Sequence, residues 1–226
     1  MPKANNDYKI SRGKTLIEVP HEGSNITFGC KLHGPDSYAC VGMSILMDGL
    51  ARPTMAQTAS LLHAAYLSKQ IEPEFSLIKS KLERNLLWAF TGWLYVPAKG
   101  IYIEDNPKTP NRMPAMNESE LIKKLEASDK SARFVPFGFL TGEMTPRELA
   151  KNHCLIGLAG EEGAEKLAEV SAMFKDKPAL HIYYSGSQNS RVSALLSINR
   201  PGHQGLGIFC CYAGQSEFGW ALGVER

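Results

Sequence analysis

Five cysteines and six histidines are the residues from which metal, redox or nucleophilic chemistry would have to be built in this 226-residue chain. The cysteines, Cys30, Cys40, Cys154, Cys210 and Cys211, are odd in number and include no CxxC pair, which argues against a disulfide framework and against a zinc site. Free thiols in a reducing compartment are the expectation. Cys210 and Cys211 are adjacent and cannot bridge each other without strain, and thiol chemistry would need a further ligand or a resolving partner nearby. The histidines, His21, His33, His63, His153, His181 and His203, contain no pair at helical metal-ligand spacing with a carboxylate partner. His153 beside Cys154 has the residue types of a nucleophile and its base, but neighbours at a helix end point apart. Glu161, Glu162, Glu165 and Glu169 read as acids that complement a helix dipole and then form a solvated face. The glycines form neither a phosphate-cradling loop nor a dinucleotide fingerprint. The residues therefore predict a protein that is not an enzyme and uses no metal or other cofactor.

The elements that must position any site are legible at several points. Thr54 and Gln57 have capping-box spacing ahead of Leu61, Leu62, Ala65 and Tyr66, and Pro73 to Asn85 places Phe75, Ile78 and Leu82 on one side. Further helix starts are predicted at Asn117 with Glu120, at Thr145 with Pro146 and Glu148, and at Gly160 leading to Phe174. Thr15 to Val19 and Ile26 to Cys30 read as short strands, and His33-Gly34-Pro35-Asp36 as a turn. Leu86 to Ile103, with Trp88, Phe90, Trp93, Tyr95 and Tyr102, reads as strands joined by a turn. Without a basic groove its aromatics are core residues and not a base-stacking platform. Asp105 to Pro114, with three prolines, reads as an ordered loop.

Composition limits the partners. A net charge of +2, with basic and acidic residues mixed along the chain, gives no footprint for nucleic acid. No apolar run approaches the roughly 20 residues needed to span a bilayer, and Met1 to Arg12 is polar, so no membrane insertion and no signal peptide are expected. The product is read as soluble, either cytoplasmic or exported without a recognisable signal.

The style of the chain changes near its end. Lys177 is the last lysine, and Leu196 to Trp220 mixes Gly, Ser, Cys, aromatic and small polar residues between two strand-like pieces, Arg191 to Leu195 and Ala221 to Val224. Composition alone fits a glycine-rich hairpin finishing a sheet. Together with RVSAL at Arg191 to Leu195, Leu206, Ile208 and the terminal ALGV, the runs RFVPFGFLTGE (Arg133 to Glu143), ELAKN (Glu148 to Asn152) and GEEGAEKLAEV (Gly160 to Val170) carry a family resemblance. The chain resembles the archaeal variable proteins of diversity-generating retroelements, which have a C-type-lectin fold of the formylglycine-generating-enzyme type.

That resemblance implies an α+β fold of small antiparallel sheets with packed helices, one domain over residues 1–226, and a variable region at 196–220 on the C-terminal strands and loops. It also implies a mechanism for the composition, in which template adenines are replaced during reverse transcription. Asparagine-type codons ending in a pyrimidine then diversify without reaching Lys, Gln, Glu, Met or Trp. Ser197, Ile198, Asn199, Arg200, His203, Gly207, Phe209, Cys210, Cys211, Tyr212 and Phe218 are compatible with that origin and form the expected ligand-binding set. Gln204, Gln215, Glu217 and Trp220 are assigned to the framework. Aromatic anchors among small adaptable polar residues on a rigid scaffold are also how immune paratopes gain contact area at low entropic loss. Alternation in a strand would bury Leu206 and Ile208 while Gly207 and Phe209 point outward. The expected partner is a protein or surface ligand. The rival readings are an oxidase using Cys210 and Cys211 on the same scaffold, or a structural adhesin or tail-tip subunit.

Overall fold

The structure is a computed structural model that describes residues 8–11, 16–69, 72–110, 114–182, 187–200, 203–212 and 218–226, without the side chains of residues 11, 199, 200, 203, 211 and 212. Its strands are β1 (Lys9–Ser11), β2 (Leu16–His21), β3 (Ser24–Asp36), β4 (Leu86–Val96), β5 (Gly100–Asp105), β6 (Ala132–Pro136), β7 (Gly142–Glu143), β8 (Ala179–Ile182), β9 (Asn189–Arg200), β10 (His203–Tyr212) and β11 (Gly219–Val224). Its helices are α1 (Tyr38–Met47), α2 (Met55–Leu67), α3 (Pro73–Leu82), α4 (Glu118–Glu126), α5 (Pro146–Ala150) and α6 (His153–Ser171).

Where small antiparallel sheets were expected, the described strands join in one mixed sheet of order β1-β2-β3-β11-β4-β9-β10-β8-β7, with β5 and β6 branching from β4. Most pairs are antiparallel, but β11 runs parallel to β4 and β10 parallel to β8. The parallel pairs arise because the last three strands are inserted into the sheet. β9 pairs with β4, and β11 slots between β3 and β4.

The aromatic block explains this centre. In β4 every residue but Tyr95 is buried. Strand alternation then sends Leu87, Ala89 and Trp93 to one face and Leu86, Trp88 and Phe90 to the other. The first face packs under α2, α3 and α6, including Leu61, Leu62, Phe75, Ile78, Leu155 and Leu167. The opposite face packs under α1 through Tyr38, Val41 and Ile45. A smaller cluster joins Leu94 and Tyr102 to Leu121 of α4.

The helix starts follow the capping chemistry. Thr54 and Thr145 each form a capping box, and Asn117 accepts from the Glu120 N–H. Gly160, at φ 72°, does break α6, but the helix expected to begin there is preceded by two turns capped by Asn152, whose Oδ1 accepts from Cys154 and Leu155. The expected turn at His33 to Asp36 is instead the end of β3, held by pairing with β11. There Gly34, at φ 110°, lets the chain pass Gly219: a Cβ on Gly34 would lie 2.4 Å from the Gly219 carbonyl oxygen. Among the described residues no helix is long and apolar enough to cross a membrane.

Two predictions follow from this packing. A Cβ on Gly219 would sit 1.8 Å from Nε1 of Trp88, the nitrogen that donates to the Asp36 carbonyl, so neither strand nor indole has room to yield. Gly219→Ala should therefore destabilise by about 3 kcal/mol or more, read as a fall in the urea midpoint. The second concerns acid. The His33 side chain is fully buried, with Nδ1 2.9 Å from Ser44 Oγ, and burial lowers its pKa below the ordinary 6.5 although Asp48 opposes the shift. Burial likewise lowers His21. Both rings bind a proton more readily unfolded than folded, so their contribution is complete above pH 6.5 and is lost as pH falls through the lowered folded values. Between about pH 7.5 and about pH 5.5 the urea midpoint should drop, and His33→Gln should flatten the drop. Parallel slopes for the two proteins would contradict the assignment.

Candidate functional site

The hairpin of β9 and β10 is set by its register. Leu195 faces Ile208, Ser197 faces Leu206, Leu196 faces Gly207 and Ile198 faces Gly205, while Phe209 pairs with Ala194. Cross-strand partners share a face, so the hairpin has two distinct sides. Leu195, Leu206, Ile208 and Cys210 lie in the main core beneath the helices. Leu196, Ile198, Gly205, Gly207 and Phe209 lie on the other side, where α1 covers only the part of the sheet nearer β4.

On that second side Phe209 and His181 are parallel neighbours of β10 and β8, and their rings stack at 4.7 Å with an interplanar angle of 13°. The Phe209 ring folds back over Gly207: a Cβ there would meet Cε2 of Phe209 at 2.4 Å and Cδ1 of Ile198 at 3.0 Å. Glycine at 207 thus gives the aromatic ring a seat. Leu196, Ile198, Phe209 and His181 are half-buried, so the result is a partly exposed apolar strip with one imidazole. Phe218, at the turn into β11, is 69% exposed while its carbonyl accepts from the Leu86 N–H.

The expected binding set divides accordingly. Leu206 and Ile208 are fully buried and Trp220 is 2% exposed, whereas Gln204, also assigned to the framework, is exposed. Ile198, Phe209 and Phe218 reach the surface. Ser197, Gly207 and Cys210 do not and are corrected: Ser197 and Cys210 have core parity in their strands, and Gly207 lies beneath Phe209. Phe209 is only half outward, because its ring leans along the strand. Asn199, Arg200, His203, Cys211 and Tyr212 stand on β9 and β10, but their side chains lie outside the described residues, as do Gln215 and Glu217 entirely. His181 was missed by sequence reasoning. It lies on a separate strand, and only the parallel β8–β10 pairing brings it to Phe209.

Cys210 is 1% exposed, with Sγ 3.9 Å from Ser193 Oγ. Burial, with Cys210 nearby, pushes the Cys154 thiol well up. Neither is placed as an accessible thiolate. His153 is exposed and Cys154 fully buried, so that adjacent pair does not converge. Among the described residues no group of three or more His, Cys, Asp or Glu side chains is arranged to hold a metal. Of the acids on α6, Glu162 accepts from Lys166 and from the Glu22 N–H, and Glu169 lies 2.6 Å from His63 Nε2.

No protein-family model matches the chain, and no curated protein matches it. A solved structure concerned with the accommodation of massive sequence variation in Nanoarchaeota by the C-type lectin fold is similar to it. The alignment covers 86% of this chain and 97% of that one, with a TM-score of 0.52 and 13% sequence identity. At that identity the likeness is one of fold, and the chain has the C-type lectin fold.

Proposed function

We propose that this chain is a ligand-binding protein, acting by recognition and not by turnover, whose C-terminal strands carry a surface diversified by a retroelement to recognise a protein ligand. The observation that carries this reading is the division of the β9–β10 hairpin into a fully buried side and a partly exposed apolar side. Side chains on the first hold the fold; on the second Ile198 and Phe209 reach the surface, while Gly207 is held to glycine by the ring above it. Exposed apolar surface next to adaptable polar positions marks an interaction site. Phe209 on His181, Ile198 and Phe218 are the anchors in this reading. Asn199, Arg200, His203, Cys211 and Tyr212 are the adaptable positions assigned from sequence. The similar structure supports the reading in kind, since it concerns a C-type lectin fold that accommodates massive sequence variation. No metal, thiol or other cofactor enters the mechanism: affinity comes from desolvated anchors, which in interfaces are each worth about 2 kcal/mol or more.

The division between buried and exposed positions of the C-terminal segment predicts unequal stability effects. Leu206→Ala and Ile208→Ala should each lose about 2–5 kcal/mol, whereas Phe218→Ala should stay within about 0.5 kcal/mol. Ser197 Oγ is buried without a hydrogen-bond partner among the described residues, so Ser197→Ala should stabilise by about 1 kcal/mol. Equal losses in the two sets would remove the basis of the proposal. Diversification is tested in the DNA. The coding segment for residues 196–220 should have a nearby copy that differs from it only at adenines of the copy, with a reverse transcriptase gene beside it. A neighbourhood lacking both would leave a binding surface that is not a retroelement target.

A further inference from the structure

Across the sheet from this strip, α2, α6, the end of β2 and Tyr8 enclose a cavity of about 240 Å³. One wall carries the Tyr8 ring, Pro20 and Ala64 together with the polar Ser60 and His63 of α2 and its C-cap Ser68. The other is α6, where Glu162, Glu165, Lys166 and Glu169 share one face by their spacing of three and four residues.

Donor and acceptor counting selects the chemistry of an occupant. The Lys166 side chain is only 12% exposed, and its ammonium has three N–H donors. All three are used within the protein: on the Pro20 carbonyl at 2.8 Å, on Ser60 Oγ at 2.9 Å and on Glu162 Oε1 at 2.5 Å. His63 Nε2 is held by Glu169. Lys166, the one cation of the wall among the described residues, therefore has no proton left for an anion or a carbonyl. Carboxylate oxygens remain in excess, because Glu165 has no ion-pair partner among the described residues and Glu162 and Glu169 are bonded here through one oxygen each. An occupant that complements this lining brings donors and positive charge to the α6 carboxylates and a short hydrocarbon body to Tyr8, Pro20 and Ala64. The volume is below the roughly 300 Å³ at which drug-sized sites begin, so it must be small.

We propose that this cavity binds a small alkylammonium ion, free or at the tip of a partner's lysine side chain. The inference is independent of the sheet-face reading, since the two sites lie on opposite faces of the sheet. n-Butylammonium chloride is the probe, titrated calorimetrically into the full chain against sodium butyrate and n-butanol. Saturable binding tighter than about 10 mM is expected for the ammonium alone. Glu165→Gln, a rim change that leaves the Lys166 network intact, should weaken it about tenfold. Ala64→Leu should abolish it by filling the cavity. Nα-acetyl-lysine amide separates the sources: comparable binding assigns the site to a lysine side chain, and exclusion assigns it to a free amine. Equal binding of butyrate or butanol, absence of saturation, or unchanged affinity in Glu165→Gln would each overturn the proposal.

Discussion

A central strand buried on both faces is the constraint on which the rest of this fold depends. With all but one residue of β4 buried, both sides of the sheet must be covered. One side is covered by α2, α3 and α6, under which most of the buried apolar residues described gather in one core. The other is covered by α1, a single ten-residue helix that reaches β11, β4 and the start of β9. The unequal cover is what leaves the strip beyond α1 partly open.

A network of side chains ties the layers at β4. Asp105 receives both terminal nitrogens of Arg133 and the hydroxyl of Thr91, Thr91 in turn accepts from the Met55 N–H at the start of α2, and Arg133 Nε donates to the Gly157 carbonyl in α6. Strands β4, β5 and β6 are thereby fixed to the helices by charge-assisted bonds with a bidentate geometry. At the other end of the helical layer, Lys166 ties β2 to α2 and α6. The helical side is braced twice, whereas on the outer side of β9, β10 and β8 the described residues show strand pairing and the stack of Phe209 with His181.

This asymmetry gives a physical account of how one hairpin can serve two purposes. Removing a fully buried Leu206 leaves a cavity in a close-packed core, and the lost contacts are not replaced. A change at Phe218 removes atoms that mostly face water. Positions within the C-terminal segment can therefore differ widely in tolerance. Ser197 shows where a simple division between core and surface is insufficient: its small hydroxyl is accepted on the core side although nothing described bonds it.

Local interactions were legible in the sequence because they depend on residues a few positions apart. Thr54 with Gln57, Asn117 with Glu120 and Thr145 with Glu148 are satisfied within a single turn, and the aromatic block announced buried strands by composition. Alternation also gave the inward direction of Leu206 and Ile208. The turn expected at His33 to Asp36 failed because pairing with β11, nearly two hundred residues later, overrides local turn preference. The burial of Ser197 and Cys210 and the meeting of His181 with Phe209 likewise depend on which strands lie side by side. By itself the sequence determined the starts of α2, α3, α4 and α5, though not those of α1 and α6, together with the existence of a two-sided C-terminal hairpin and the absence of a contiguous catalytic motif. The tertiary structure decided which side of that hairpin is covered and which residues enclose the cavity on α6. Both are set by contacts between segments far apart in the chain, which no local pattern encodes.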